Sequence, residues 1–341
     1  MQSATLVISF TSRLMVLRFS ITGFRDLSTL ESQFISIVQM ILAKKCPERY
    51  TFNMNSKICV IGSSNIDQIA YTQNIPSDGE TLFGDSFQMG FGGKGANQAV
   101  MAGLLGADVY MITCLGDDVY KEMTVTNYQA NNVNTDHIQL VRGSSGVAPI
   151  WVDSTGQNRI IVIPGANNEI DAQKAITSME EIGNITVLVG QCEIPMDVNR
   201  EVFKFAKNNS ITTIFNPAPA TSLDKDFLEY INWLIPNESE FELISGMEPS
   251  NENFLKFKQE VPCNLIVTLG EKGAVLVGEN DTQYFDAPQV EAIDTTGAGD
   301  SFIGTFAYEL SESNSPEESV KKAVSKASQS VTKKGTQSSY S

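Results

Sequence analysis

Residues 185–190 read Ile185-Thr-Val-Leu-Val-Gly190, a short apolar run that stops at glycine. A helical pattern near Met196 to Lys207 follows, and then a second strand-like run, Ile211 to Phe215. The cadence continues with Asn232 to Ile235, the helical segment Asn251 to Lys258, Leu265 to Leu269, and Ala274 to Val277 placed to pair beside it. Far upstream, Lys57 to Gly62 (KICVIG) has the same form. Strands alternating with helices in this way build a mainly parallel sheet covered by helices.

Two stretches break that rhythm, Glu80 to Gln88 and Gly146 to Ile163. The second alternates and turns at Asp153-Ser-Thr-Gly156, as a hairpin does. Together they suggest a small lid over one edge of the sheet, spanning about 65–90 and 146–163; antiparallel decoration of the main sheet is the plainer alternative. Near the end, Ser315-Pro-Glu-Glu318 supplies a capping hydroxyl, proline at the first helical position and glutamate three residues after the cap. Val320, Ala323, Val324 and Ala327 continue as an apolar stripe, and Gly335 stops the pattern.

The 341 residues are 42% hydrophobic and 19% charged, an ordinary globular composition. Against 24 basic residues stand 40 acidic ones, a net charge of -16 that repels phosphate backbones and argues against a nucleic-acid partner. His137 is the sole histidine, so no multi-histidine metal site can form. The five cysteines contain no CxxC pair and read as reduced thiols in a cytosolic type of protein. No apolar run is long enough to span a membrane.

Residues 1–53 stand apart. They hold six basic and three acidic residues, so they carry +3 while the remainder carries -19. A targeting segment, a helix around Phe34 to Leu42 packed on the domain, and a dispensable leader all fit. Met54 immediately precedes the first convincing strand. The expected division is therefore a leader, 1–53, and one principal domain, 54–341, in the cytoplasm and also the nucleus, or in an organelle if the leader is a transit peptide.

Gly90-Phe-Gly-Gly-Lys-Gly95 matches GxGxxG, but it follows a suspected excursion instead of a parallel strand, which argues against a dinucleotide site. More informative is Gly93-Lys-Gly-Ala-Asn97, which opens a helical run, Gln98 to Leu105. With Asn65 and Asp67 beyond the first strand, it offers paired donors and acceptors for a polyol, although capping and turn formation explain the same residues. Asp294-Thr-Thr-Gly-Ala-Gly-Asp300 is the sharpest feature. The amides of Gly297, Ala298 and Gly299 are expected to be free at a helix start, where they suit a phosphoryl group. Asp300 in the first turn suits a general base, with a simple cap as the alternative. Thr268 to Gly273 and Asn237 lie at strand ends, where ligands collect in open α/β sheets, and Glu240 suits a water of Mg²⁺.

Five ordered segments carry a resemblance: Gly92-Gly-Lys-Gly-Ala-Asn97, Asn216-Pro-Ala-Pro-Ala220, Pro236-Asn-Glu-Ser-Glu240, Asp294 to Asp300, and Val331-Thr-Lys-Lys-Gly335. Over residues 57–341 the chain resembles the ribokinase branch of the PfkB carbohydrate kinase family. The resemblance implies a three-layer α/β/α domain with a mainly parallel central sheet and a small β-sheet lid. It also implies ATP-dependent phosphorylation of D-ribose at O5, with Asp300 as base and the Gly297 to Gly299 amides as anion hole. Sugar contacts are implied for Asn65, Ile66, Asp67, Gly93, Lys94, Gly95, Ala96, Asn97, Glu193 and Asp300. Nucleotide contacts are implied for Asn237, Thr268, Leu269, Gly270, Glu271, Lys272, Gly273, Gly299 and Asp300, with Glu240 organising Mg²⁺ through water.

A monovalent cation, K⁺, is implied beside Asp294, the Ser339 hydroxyl and the carbonyls of Thr296, Ser330, Lys333 and Gly335. A homodimer through the lid sheet is implied as well. Another kinase of the family, acting on 2-deoxyribose or on a nucleoside held against Ile150 and Trp151, is the alternative; a non-catalytic sugar- or nucleotide-binding protein is a further one. Two departures stand out. Gln68 occupies a position where the family pattern has histidine, and relatives continue through a last helix after the cation-site serine, so weaker cation affinity is expected here.

Overall fold

The computed structural model describes residues 2–10, 13–21 and 56–341. The chain divides into two units, Met1–Met54 and Asn55–Ser341. In the first, strands Gln2–Phe10 and Arg13–Ile21 pair antiparallel, with Gln2 opposite Ile21. The helix expected around Phe34 to Leu42 lies outside the described residues.

In the second unit a nine-stranded sheet runs in the order Thr282–Phe285, Ala274–Val277, Asn264–Thr268, Trp233–Leu234, Thr212–Asn216, Ile185–Gln191, Lys57–Ile61, Asp108–Ile112, Val133–Asn134. All neighbours are parallel except the pairs involving Ala274–Val277, which is antiparallel to both of its neighbours. The strand-by-strand reading therefore holds, with ends moved by a residue or two.

Alternation divides the core between the two faces. Cys59, Ile61, Leu188, Leu265 and Val267 point one way and pack with Val198, Val202, Phe203 and Phe254 of the helices Met196–Asn208 and Asn251–Glu260. Ile58, Val60, Val187, Val189 and Ile266 point the other way, against Ala99, Val100, Phe302, Phe306, Val320 and Val324. These come from the helices Lys94–Leu104, Ala298–Ser311 and Pro316–Ser330, which complete an α/β/α sandwich. Ser315 caps the last of them, its hydroxyl accepting from the Glu318 amide at 3.2 Å.

The excursions form a separate sheet in the order Asn158–Ile160, Gly146–Val152, Asn65–Tyr71, Ser86–Gly92. Asp153 closes its hairpin, accepting from the amides of Thr155 and Gln157. Gln68 ties this lid to the helix Tyr120–Ala130 by donating to the Tyr120 hydroxyl at 2.7 Å. Among the described residues no helix is long and apolar enough to cross a membrane.

One helix begins earlier than the glycines of its first turn suggest, at Lys94 instead of Gln98. Gly93 turns the chain into it at φ 90, a conformation that a side chain would strain. Asn97 and Gln98 consequently lie inside the helix, facing inward, with 5% and 0% exposure.

Candidate active site

Strand Lys57–Ile61 delivers the chain to Ser63, whose carbonyl accepts from the Ala96 amide at 2.9 Å. That bond sets the start of the helix Lys94–Leu104 against the strand end. The helix Ala298–Ser311 starts at Gly297, with φ 77; a Cβ there would meet the Thr336 methyl at 2.3 Å and the Tyr340 hydroxyl at 2.7 Å. Asp300, in its first turn, is buried. Its Oδ2 accepts from Asn97 Nδ2 at 2.8 Å and its Oδ1 from Gln98 Nε2 at 2.9 Å.

Beside Asp300 lies a cavity of about 180 Å³. Lys94, Asn237, Glu240, Thr268, Gly297, Gly299 and Asp300 line it, as do Asn216, Ala218, Ile235 and Ile303. The last four had no role assigned from sequence, although Asn216 and Ala218 belong to a quoted motif. The Lys94 ammonium sits among the carboxylates of Asp300, Glu193 and Glu240; burial works against its charge, and these carboxylates more than offset that, raising its pKa.

Next to the cavity, Glu193 Oε2 accepts from the Ser63 hydroxyl at 2.5 Å and from the Lys94 amide at 2.9 Å. Asp67, on the lid strand, lies opposite Gly90 and beside Gly92. Burial, with a smaller push from the charge of Glu193, raises the Asp67 carboxyl to about 7. Asn65 Oδ1 accepts from Asn167 Nδ2 at 2.8 Å, a partner far along the chain that no local pattern marks.

Several expected contacts are redirected. The Asn97 amide is engaged at both ends, giving to Asp300 and accepting from Gln337 Nε2 at 3.0 Å, so it braces the carboxylate. The side chains of Ile66 and Ala96 are packed into the core, at 1% and 2% exposure. Leu269 is a core side chain too, and Gly270–Lys272 form a short 3₁₀ turn outside the cavity lining. Of the three loop amides expected to be free, that of Ala298 is turned back onto the Thr295 carbonyl at 3.3 Å. The Gly297 and Gly299 amides have no such backbone acceptor among the described residues, and a Cβ at Gly299 would meet open space.

Asn237 and Glu240 form a reciprocal capping box at the start of the helix Glu238–Ser245. The spacing Asn237-x-x-Glu240 is itself a signal for that motif. Burial raises the Glu240 carboxyl and nearby Asp300 adds to it, while the Asn237 amide and Lys94 oppose. Cys192 stands in the same surroundings, its thiol pushed up to about 12 by burial and then by Glu240.

Around Asp294 the expected segments meet. Its oxygens accept from the amides of Thr296 (3.0 Å) and Gly335 (2.9 Å), and the Val331 carbonyl accepts from the Asp294 amide at 3.2 Å. Partial burial works the other way, yet the Thr296 hydroxyl and these amides hold the Asp294 carboxyl below its usual range. Gly335 thus turns its N–H toward Asp294, and the Ser339 hydroxyl donates to the Thr336 carbonyl at 2.7 Å. Among the described residues no three acidic, histidine or cysteine side chains converge to hold a metal.

A helix start with two open amides, a buried carboxylate and a lysine between acidic groups meet at the strand ends of an α/β/α sandwich, an arrangement suited to phosphotransfer. Residues 55–341 match the model of the pfkB family carbohydrate kinases, and the chain belongs to that family. A deoxyribokinase of Salmonella typhi is 39% identical over 290 residues, covering 83% of this chain and 95% of that one. A ribokinase of Lactococcus lactis is 37% identical, covering 83% and 93%. Among solved structures, a ribokinase from Thermotoga maritima superposes with a TM-score of 0.77 at 37% identity, covering 83% and 95%. Arabidopsis thaliana ribokinase, complexed with ribose and ATP, gives 0.76 at 28%, covering 84% and 96%.

Proposed function

We propose that this kinase transfers the γ-phosphoryl group of ATP to the 5-hydroxyl of a free pentose, D-ribose or 2-deoxy-D-ribose. The observation that carries the reading is the buried Asp300 carboxylate, oriented by two amide donors at the edge of a cavity that opens on Gly297 and Gly299. The expectation of D-ribose alone is widened, because relatives of nearly equal identity are a deoxyribokinase and a ribokinase.

Asp300 takes the proton as the sugar oxygen attacks the γ-phosphorus in line, and the Gly297 and Gly299 amides meet the developing negative charge. Lys94, held among carboxylates, stays charged and offsets the same negative charge. Asp67 and Glu193 supply acceptors for sugar hydroxyls; Asn237 and Thr268 lie along the nucleotide. Glu240 keeps one oxygen outside its capping bond, which fits a water of Mg²⁺, and Mg²⁺ when bound neutralises phosphate charge. K⁺ fits beside Asp294, whose lowered pKa keeps it ionised between the 294–296 and 330–335 segments. Phe87, Met89 and Trp151 leave large apolar area exposed on the lid, which supports the expected homodimer through that sheet.

A coupled ADP-release assay over D-ribose, 2-deoxy-D-ribose and a panel of nucleosides tests the reading. The highest kcat/KM is expected on a free pentose. Preference for a nucleoside, or no sugar-dependent ADP release, overturns it.

A further inference from the structure

Two lines of carboxamides converge on Asp300. In one, Gln191 Nε2 donates to Gln98 Oε1 at 2.7 Å, and Gln98 Nε2 donates to Asp300 Oδ1 at 2.9 Å. In the other, Asn131 Nδ2 donates to Asn127 Oδ1 (3.2 Å), Asn127 Nδ2 to Gln337 Oε1 (2.7 Å), Gln337 Nε2 to Asn97 Oδ1 (3.0 Å), and Asn97 Nδ2 to Asp300 Oδ2 (2.8 Å). Gln98 and Gln191 are fully buried, and Gln337 is 8% exposed.

The chemistry of the groups gives each line a direction. An ionised carboxylate only accepts, so the amide beside it must present its NH₂ end. The carbonyl end of that amide then needs a donor, which Gln191 and Gln337 provide. Turning the Gln98 amide over would set its carbonyl against Asp300 and its NH₂ against the NH₂ of Gln191. Turning Asn97 over would do the same between Asp300 and Gln337. Each distant amide therefore holds the nearer one in the single orientation that serves the carboxylate.

We propose that Gln98 and Gln337 are positioning residues for the base, each fixing one Asp300 oxygen as an acceptor and leaving its remaining lone pair for the sugar hydroxyl. The proposal rests on the reading of Asp300 as the base. It also links the base to the C-terminal segment, since Gln337 and Ser339 share one short turn.

The test is steady-state kinetics of the full chain with the pentose it turns over. Gln98→Met is expected to lower kcat by roughly 10–100-fold while KM for sugar and ATP changes little. Gln191→Met should cost roughly 3–10-fold, and the double variant should be no slower than Gln98→Met alone, because Gln191 acts through Gln98. On the other line, Gln337→Glu keeps the shape but cannot donate to Asn97, which invites the Asn97 amide to turn over. It should therefore lose more kcat than Gln337→Met, the reverse of the order that packing alone would give.

Multiplying losses in the double variant, or Gln337→Glu more active than Gln337→Met, would overturn the relay. If Gln98→Met fails to fold, the two Gln337 variants decide. Asp300→Asn separates the two levels: near-full kcat there removes the base itself. An inactive Asp300→Asn beside wild-type kcat in the Gln98 and Gln337 variants removes only the relay.

Discussion

The proposed base end and the proposed sugar end of the site differ in how far the protein alone pairs their polar groups. At the base end both Asp300 oxygens have amide donors, and those donors are themselves held. At the sugar end two carboxylates, Asp67 and Glu193, stand close enough for one to raise the pKa of the other. The first region is fully paired within the protein; in the second Glu193 is paired with Ser63 and Lys94 while burial raises Asp67, a cost that the proposed sugar hydroxyls would relieve. On the proposed reading, the reacting group is oriented by residues of the main sandwich and its C-terminal turn. The sugar acceptors come from both sheets, Glu193 from just beyond a strand of the main one and Asp67 from the lid.

Breaking the base end should have the largest effect. Asp300→Asn is expected to lower kcat by roughly 10²–10⁴-fold with a smaller change in sugar KM. A folded variant with near-wild-type kcat in the ADP-release assay would show that the two ends had been assigned the wrong way round.

At the sugar end, Asp67→Asn should raise sugar KM by roughly 10–100-fold, the loss of a charged hydrogen-bond acceptor. In the wild type the sugar KM should fall as pH rises through about 7, where Asp67 ionises, and the variant should lack that inflection. Stability moves the opposite way. Because the folded value lies above the ordinary 3.8, this contribution is full below about pH 4 and is lost as pH rises through about 7. Asp67→Asn should accordingly gain about 1–2 kcal/mol near pH 8, discounted for partial exposure, in denaturant melts. A sugar KM that is flat across this range in the wild type would remove the contrast between the ends.

Smaller still is the cation effect. Titrating KCl against choline chloride at constant ionic strength should raise turnover several-fold in wild type, roughly what a modest coupling free energy gives, and little in Asp294→Ala. Equal rates in both salts would dissociate Asp294 from the anion loop. The least effect is expected from the first unit: expression from Met54 should leave kcat unchanged, and an inactive or insoluble product would show that the leader supports the domain.

The same contrast governs what could be read from the chain. Asp300 and the Gly297–Gly299 loop were legible because a helix start with small residues is a local pattern. So was the hairpin at Asp153. The braces of the base were not, since Gln98 meets Gln191 and Asn97 meets Gln337 only once strands and helices 93 and 240 residues apart are folded together. An amide near glycines suits a polyol, which marks Asn97 in the sequence, and only its two folded partners add the task of bracing Asp300. Glu240 shows the converse: its capping box is a local motif that a search for ligands passed over.

The Tyr340 hydroxyl donates to the Gly297 carbonyl at 2.8 Å, and the Thr336 methyl fills the space where a Cβ on Gly297 would go. The loop proposed to receive the phosphoryl group is therefore shaped by residues some forty positions after it in the chain. All nine strands of the large sheet precede this loop in the chain, so removing the Thr336 and Tyr340 contacts is expected to lower kcat while leaving every strand of the sheet in the protein.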